Sequence, residues 1–311
     1  MVLAAARVVS IDEAMRSSPE MKPAPVEIAV RDVTVSYPLG KAAHKTVLSH
    51  VDLEIRAGEF VVVLGETGCG KSTLLRMVLG QEFPTSGSIA VDGKTVTRID
   101  ARCGYVPQRY SLFPDRTMLG NVMYGPENAR SGWLGRLLPG YRRYKKELRR
   151  EAEELLTRMG LRAADFHKYP HQLSGGMQQR VAIAQALIMR PPVLLMDEAF
   201  SALDPATRAS LQQQLKEVWI ERKPTVLFVT HNTAEALLLG TRLVVLGPYS
   251  AESGRTNVLL DMPLPQSEEP VALRKQSREF HELSEFVVRR AYGACAAQVK
   301  EELGGEQGGA E

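Results

Sequence analysis

The chain alternates apolar and polar positions early on and then abandons the alternation. Val51-Asp52-Leu53-Glu54-Ile55 steps between apolar and acidic side chains, the period of a half-buried strand. The stretch from Glu27 to Ile55 therefore reads as antiparallel β structure. From Phe60 onward the apolar runs become continuous, at Phe60 to Leu64, Val193 to Met196, Thr225 to Val229 and Leu243 to Leu246. Strands covered on both faces of a parallel sheet need such runs. Helical patterns separate them, so the expected fold is α/β, a layered core with a parallel sheet and an antiparallel β subdomain on its N-terminal side.

Between Tyr110 and Leu187 the strand patterns vanish and helical ones take over, notably from Lys146 to Met159. A mostly helical subdomain over about 110–187 is expected to interrupt the sheet. Residues 1–26 carry Pro19, Pro23 and Pro25 with little periodicity and read as a flexible leader. The main domain is then 27–250. In the extension 251–311, Phe280, Leu283, Val287 and Ala291 recur at helical spacing, which predicts one helix. The glycine-rich run 304–309 has nothing to bury and is expected to be disordered.

Composition narrows the function classes. No apolar run approaches the roughly 18 residues that span a bilayer, so a membrane role would be exercised from outside the bilayer. At the N-terminus Arg7 follows the apolar residues instead of preceding them, unlike an export signal. The three cysteines, Cys69, Cys103 and Cys295, lack metal-ligand spacing and suit a reducing compartment. A net charge of +3 gives no reason to expect a nucleic-acid partner.

The chemistry begins directly after the first buried run. Gly65, Glu66, Thr67, Gly68, Cys69, Gly70, Lys71 and Ser72 fit G-x-x-x-x-G-K-[ST], and a helical run over Thr73 to Leu79 follows. Backbone N–H groups turned inward by glycine-rich backbone, together with a helix N-terminus, form a seat for a phosphate chain. Lys71 would bridge β- and γ-phosphates, Ser72 would hold Mg²⁺, and Thr73 would donate to an α-phosphate oxygen. The run Val193 to Met196 delivers Asp197 and Glu198 at the end of a strand, where open α/β sheets place their ligands. Asp197 suits the Mg²⁺ shell and Glu198 the activation of the attacking water.

These two motifs alone leave the reaction class open among P-loop proteins. Leu173-Ser174-Gly175-Gly176-Met177-Gln178-Gln179-Arg180 resembles the signature segment of the ABC ATPases. The resemblance covers about residues 27–250 and carries further matches in order. Tyr37 resembles the aromatic residue that stacks on adenine, although a strand-end tyrosine also serves plain packing. Gln108, in Val106-Pro107-Gln108, resembles the glutamine that touches Mg²⁺ or water and senses the permease. Ser201-Ala202-Leu203-Asp204 resembles the loop that crosses between subunits, and His231, after Thr230, the histidine that holds the γ-phosphate. The family implies a P-loop NTPase core working as a dimer, with ATP between one subunit's phosphate loop and Ser174, Gly175, Gly176 and Gln178 of the other.

Within the family, the absence of coiled-coil insertions, tandem nucleotide domains and fused membrane helices resembles an importer subunit. Asp261-Met262-Pro263-Leu264-Pro265 followed by Arg278-Glu279-Phe280 is similar to the ending of the nitrate, taurine and alkanesulfonate group. The resemblance implies a separate permease, a second ATPase subunit, an indirect solute-binding protein and a place on the cytoplasmic face of the inner membrane. Efflux, lipoprotein release and a soluble non-transport ATPase remain alternatives. Met177 and Gln185 depart from residues frequent in the family. Between 130 and 150 lie eight Arg or Lys and one acidic residue, around Trp133, Leu134, Leu137 and Leu138. That segment reads either as a solvated helix face or as a contact for anionic headgroups or the permease.

Overall fold

The computed structural model describes residues 24–39, 43–109, 112–130, 140–201, 203–249, 256–266 and 271–290. Most of the expected leader, the apolar residues 133–138, Ala291 and the glycine-rich tail lie outside the described residues. Two sheets organise the rest. Strands β1 (Val26–Leu39) and β2 (Ala43–Arg56) form a long antiparallel hairpin, and β4 (Ser86–Val91) and β5 (Lys94–Thr95) extend it in the order β2-β1-β4-β5. The second sheet runs β10 (Val258–Pro263), β9 (Arg242–Leu246), β3 (Phe60–Gly65), β8 (Thr225–Thr230), β7 (Val193–Asp197), β6 (Cys103–Val106). All its pairs are parallel except β10 with β9.

The continuous apolar runs become the inner strands because both faces of this sheet are covered. Phe60, Val62 and Leu64 face one hydrophobic core together with Leu194, Met196, Val226, Phe228, Leu243 and Val245. Val61 and Val63, one step out of phase, face a second core with Leu195, Leu227, Val229 and the inner face of the antiparallel sheet. Helix α1 (Lys71–Leu79) packs in the second core through Leu74, Leu75 and Val78. The first core is covered by α2 (Met118–Arg130), α3 (Tyr141–Arg158), α4 (Gly175–Leu187), α5 (Pro205–Arg222) and α6 (Thr233–Leu239). A short helix α7 (Val271–Arg274) precedes a helical stretch, α8, over residues 278–290, where Val287 is fully buried against the first core.

Helix α3 buries Leu148, Ala152, Leu155 and Leu156, a stripe of helical period. Its basic residues point the other way and are largely paired: Arg143 with Glu147, Lys145 with Glu127, Arg149 with Glu153 and Arg150 with Glu154. Three of these are i,i+4 pairs within the helix, as a solvated helix face carries, and Lys145–Glu127 joins α3 to α2. On the described part of this basic segment, 140–150, the pairing is that of a solvated helix face; residues 131–139 lie outside the described residues.

Candidate functional site

Strand β3 ends at Gly65, and the backbone turns through Gly68 (φ +89°) and Gly70 (φ +100°) into α1. Both φ values lie in the region where only glycine sits without strain. Gly65 is required for a different reason, since a Cβ there would come 2.3 Å from the Leu246 carbonyl oxygen and 2.7 Å from Cys69 Sγ. Within this loop Lys71 is buried and its Nζ donates to the Glu66 carbonyl at 2.6 Å. Burial pushes the Cys69 thiol up, with Lys71 opposing it. Thr73 is buried on the first turn of α1.

The phosphate loop meets the carboxylates across the sheet. Ser72 Oγ donates to Asp197 Oδ1 at 2.9 Å. Burial raises the Asp197 carboxyl above its ordinary range, the Ser72 hydrogen bond lowers it, and the Glu198 charge raises it further. Glu198 follows in a left-handed conformation (φ +44°), with its N–H bonded to the Val229 carbonyl at 2.9 Å. Its side chain is bracketed. Gln108 Nε2 donates to Glu198 Oε2 at 3.0 Å, and His231 Nδ1 stands 3.1 Å from Glu198 Oε1. Gln108 follows β6, Glu198 follows β7 and His231 follows β8, so three neighbouring strand ends converge.

Other expected residues take local partners. Ser174 caps α4, its Oγ accepting from Met177 N at 3.3 Å, and Gly175 and Gly176 form the first turn. A Cβ on Gly176 would meet Thr207 Cγ2 at 3.0 Å. Gln178 Nε2 donates to the Pro170 and Leu173 carbonyls at 3.0 and 3.2 Å, which ties it back to the preceding turn. Asp204 caps α5 by accepting from Thr207 N at 3.0 Å, and its interactions with Thr207 hold its carboxyl below the usual range. Tyr37 is partly exposed, and its hydroxyl donates to Glu82 Oε2 at 2.7 Å beside α1.

Two parts of the site carry no motif. A cavity of about 220 Å³ against the phosphate loop is lined by Lys45, Val47, Glu66, Gly68 and Tyr249, among others, and Tyr37 is not among its lining. Buried Asn257 accepts from Ser49 N at 2.6 Å and donates to the Val47 and Gly247 carbonyls at 3.1 Å each. It thereby ties β2 to the end of β9, next to the loop. A lone asparagine after a loop gives no periodic signal, which is why pattern reading passes over it.

A glycine-rich loop between a buried strand and a helix, facing carboxylates at the end of another strand of the same parallel sheet, defines a P-loop nucleotide-hydrolysing protein. Residues 48–201 match the ABC transporter family. An uncharacterized ABC transporter ATP-binding protein of Methanocaldococcus jannaschii is 40% identical over 253 residues, covering 81% of this chain and 87% of the relative. The nitrate import ATP-binding protein NrtD of Synechococcus elongatus is 40% identical over 70% of this chain and 76% of its own length. The aliphatic sulfonates import ATP-binding protein SsuB of Bacillus cereus is 35% identical over 78% and 88%. The bicarbonate transport ATP-binding protein CmpC of Synechococcus elongatus is longer, and the chain spans 34% of it at 41% identity. A dimeric ATP-binding cassette in a post-hydrolysis state, bound to ADP and Pi, superposes with a TM-score of 0.63 at 32% identity, covering 77% of this chain and all of that one. The chain belongs to the ABC transporter family as an ATP-binding, ATP-hydrolysing subunit.

Proposed function

We propose that this ATPase works as a dimer on the cytoplasmic face of a membrane and drives a separate permease that imports a small anion. The observation that carries the catalytic part is the Glu198 carboxylate, held between Gln108 and His231 one residue from the Asp197–Ser72 pair. Glu198 is the base that takes a proton from the water attacking the γ-phosphate, and His231 and Gln108 set its direction. Lys71 leaves the Glu66 carbonyl for the phosphate chain, a stronger acceptor. Ser72, Asp197 and Gln108 offer hard oxygen donors that fit Mg²⁺, and a buried carboxyl raised by desolvation is a group that a cation would favour. When bound, Mg²⁺ would neutralise charge on the phosphate oxygens.

Ser174, Gly175 and Gly176 at the start of α4 present N–H groups for the γ-phosphate of a second subunit's nucleotide. Leu203 lies beside Gly176, and Asp204 caps the helix that follows. Tyr37 belongs with the adenine side. For the permease, a groove of about 420 Å³ between β6, α2 and α4, lined by Tyr105, Pro107, Gln185 and Met189, lies one residue from Gln108. An insertion there would move Gln108 directly. Relatives named for nitrate, bicarbonate and sulfonate transport favour anion import over efflux.

Affinity capture of the protein from detergent-solubilised membranes, followed by mass spectrometry, tests the assignment. A multi-span permease should co-purify, with a solute-binding protein encoded beside it. Recovery of soluble partners alone, repeated in gentle detergent, would overturn the transport reading while leaving ATP hydrolysis in place.

A further inference from the structure

His231 is pinned from behind by residues that touch neither Glu198 nor the phosphate loop. Thr230, fully buried at the end of β8, donates its hydroxyl to Glu235 Oε2 at 2.7 Å and accepts from Asn232 N at 3.1 Å. His231 lies between these two anchored residues. The other oxygen of buried Glu235 faces Arg208 Nε of α5 at 3.7 Å, and Arg208 Nη2 donates to the Leu203 carbonyl at 2.9 Å. Leu203 belongs to the 201–204 loop.

The middle link is open. At 3.7 Å the Arg208–Glu235 contact is an ion pair and not a hydrogen bond, and among the described residues buried Arg208 Nε has no hydrogen-bond partner. A shift of roughly 0.7 Å would bring it to hydrogen-bonding distance. A buried donor without a partner is costly, so a small approach of Arg208 to Glu235 would be favourable. Burial also pushes the Glu235 carboxyl up, while Arg208 and His231 lower it.

We propose that Glu235 and Arg208 are positioning residues that transmit the placement of Leu203, through Thr230, to His231 and so to the alignment of Glu198. The inference rests on the assignment of His231 and Glu198 made above. Neither residue belongs to the phosphate loop or the signature segment, so the expected effect falls on turnover and not on affinity.

A double-mutant cycle on steady-state ATP hydrolysis tests it. Glu235→Gln and Arg208→Met should each lower kcat on the order of tenfold with KM within about twofold, and the double variant should be no worse than either single. Wild-type kcat in either variant, or single effects that multiply to about a hundredfold, would overturn the inference. If Glu235→Gln fails to fold, Arg208→Lys and Arg208→Met decide. The lysine should keep most of kcat and the methionine should not, and equal rates would overturn the coupling. Glu198→Gln and His231→Ala serve as controls. Loss of turnover there, with full turnover at 208 and 235, rejects this inference alone. Full turnover in all four variants rejects the site assignment beneath it.

Discussion

Glu198 is held by two partners in a backbone conformation unusual for a glutamate, and this is where a minimal change should matter most. Glu198→Gln keeps the shape and removes the base, so turnover should fall on the order of 10²–10⁴-fold while ATP binding persists. Size-exclusion chromatography with ATP should then show accumulated dimer. Asp197 makes the opposite point. Its carboxyl is raised in the folded protein, so the ionised form opposes folding: the stability tied to it is complete at low pH and is lost as pH rises through the folded value. Asp197→Asn removes that penalty. At a pH above the raised folded-state value the nucleotide-free variant should melt higher than the wild type, with the gap closing as the pH falls below the ordinary carboxyl range, while hydrolysis collapses. Scanning calorimetry across pH reads the sign directly.

At the level of elements, legibility followed locality. The phosphate loop was readable because strand, glycine turn and helix are consecutive in the chain, and its glycines answer to backbone demands visible at Gly65 and Gly70. The grouping of Gln108, Glu198 and His231 was readable only through family resemblance. Their separations of 90 and 33 positions are bridged by the strand order β6-β7-β8, which no periodicity encodes. The antiparallel sheet drew β4 and β5 from beyond the phosphate loop, in runs too short and polar to announce strands. Asn257 escaped because one buried amide makes no pattern. Asn257→Leu should cost on the order of 2–4 kcal/mol, because it strands the Ser49 N–H and the Val47 and Gly247 carbonyls without partners. Denaturant melts would show the loss as a lower midpoint at unchanged slope.

For the whole molecule, the pairs at Arg143, Lys145, Arg149 and Arg150 show the protein's own glutamates meeting part of the basic face of α3. Neutralising Arg142, Arg143, Lys145 and Lys146 together should leave association with anionic vesicles unchanged in a flotation assay if this is a solvated face. Loss of association would restore the headgroup-contact reading. The division of the interior into two cores by one sheet reaches further. Phe60, Val62 and Leu64 belong to one core while Val61 and Val63, on the same strand, belong to the other. The sheet lies between the two cores, so they should open as separate cooperative units. Leu155→Ala, which empties part of the helical core at a cost of about 2–5 kcal/mol, should accelerate amide exchange across α2 to α4. The amides of α1 should keep their protection. A cell carrying such a variant would hold a subunit that still captures ATP yet presents a softened surface to its partners, so a quality-control protease would meet the helical layer before the nucleotide seat.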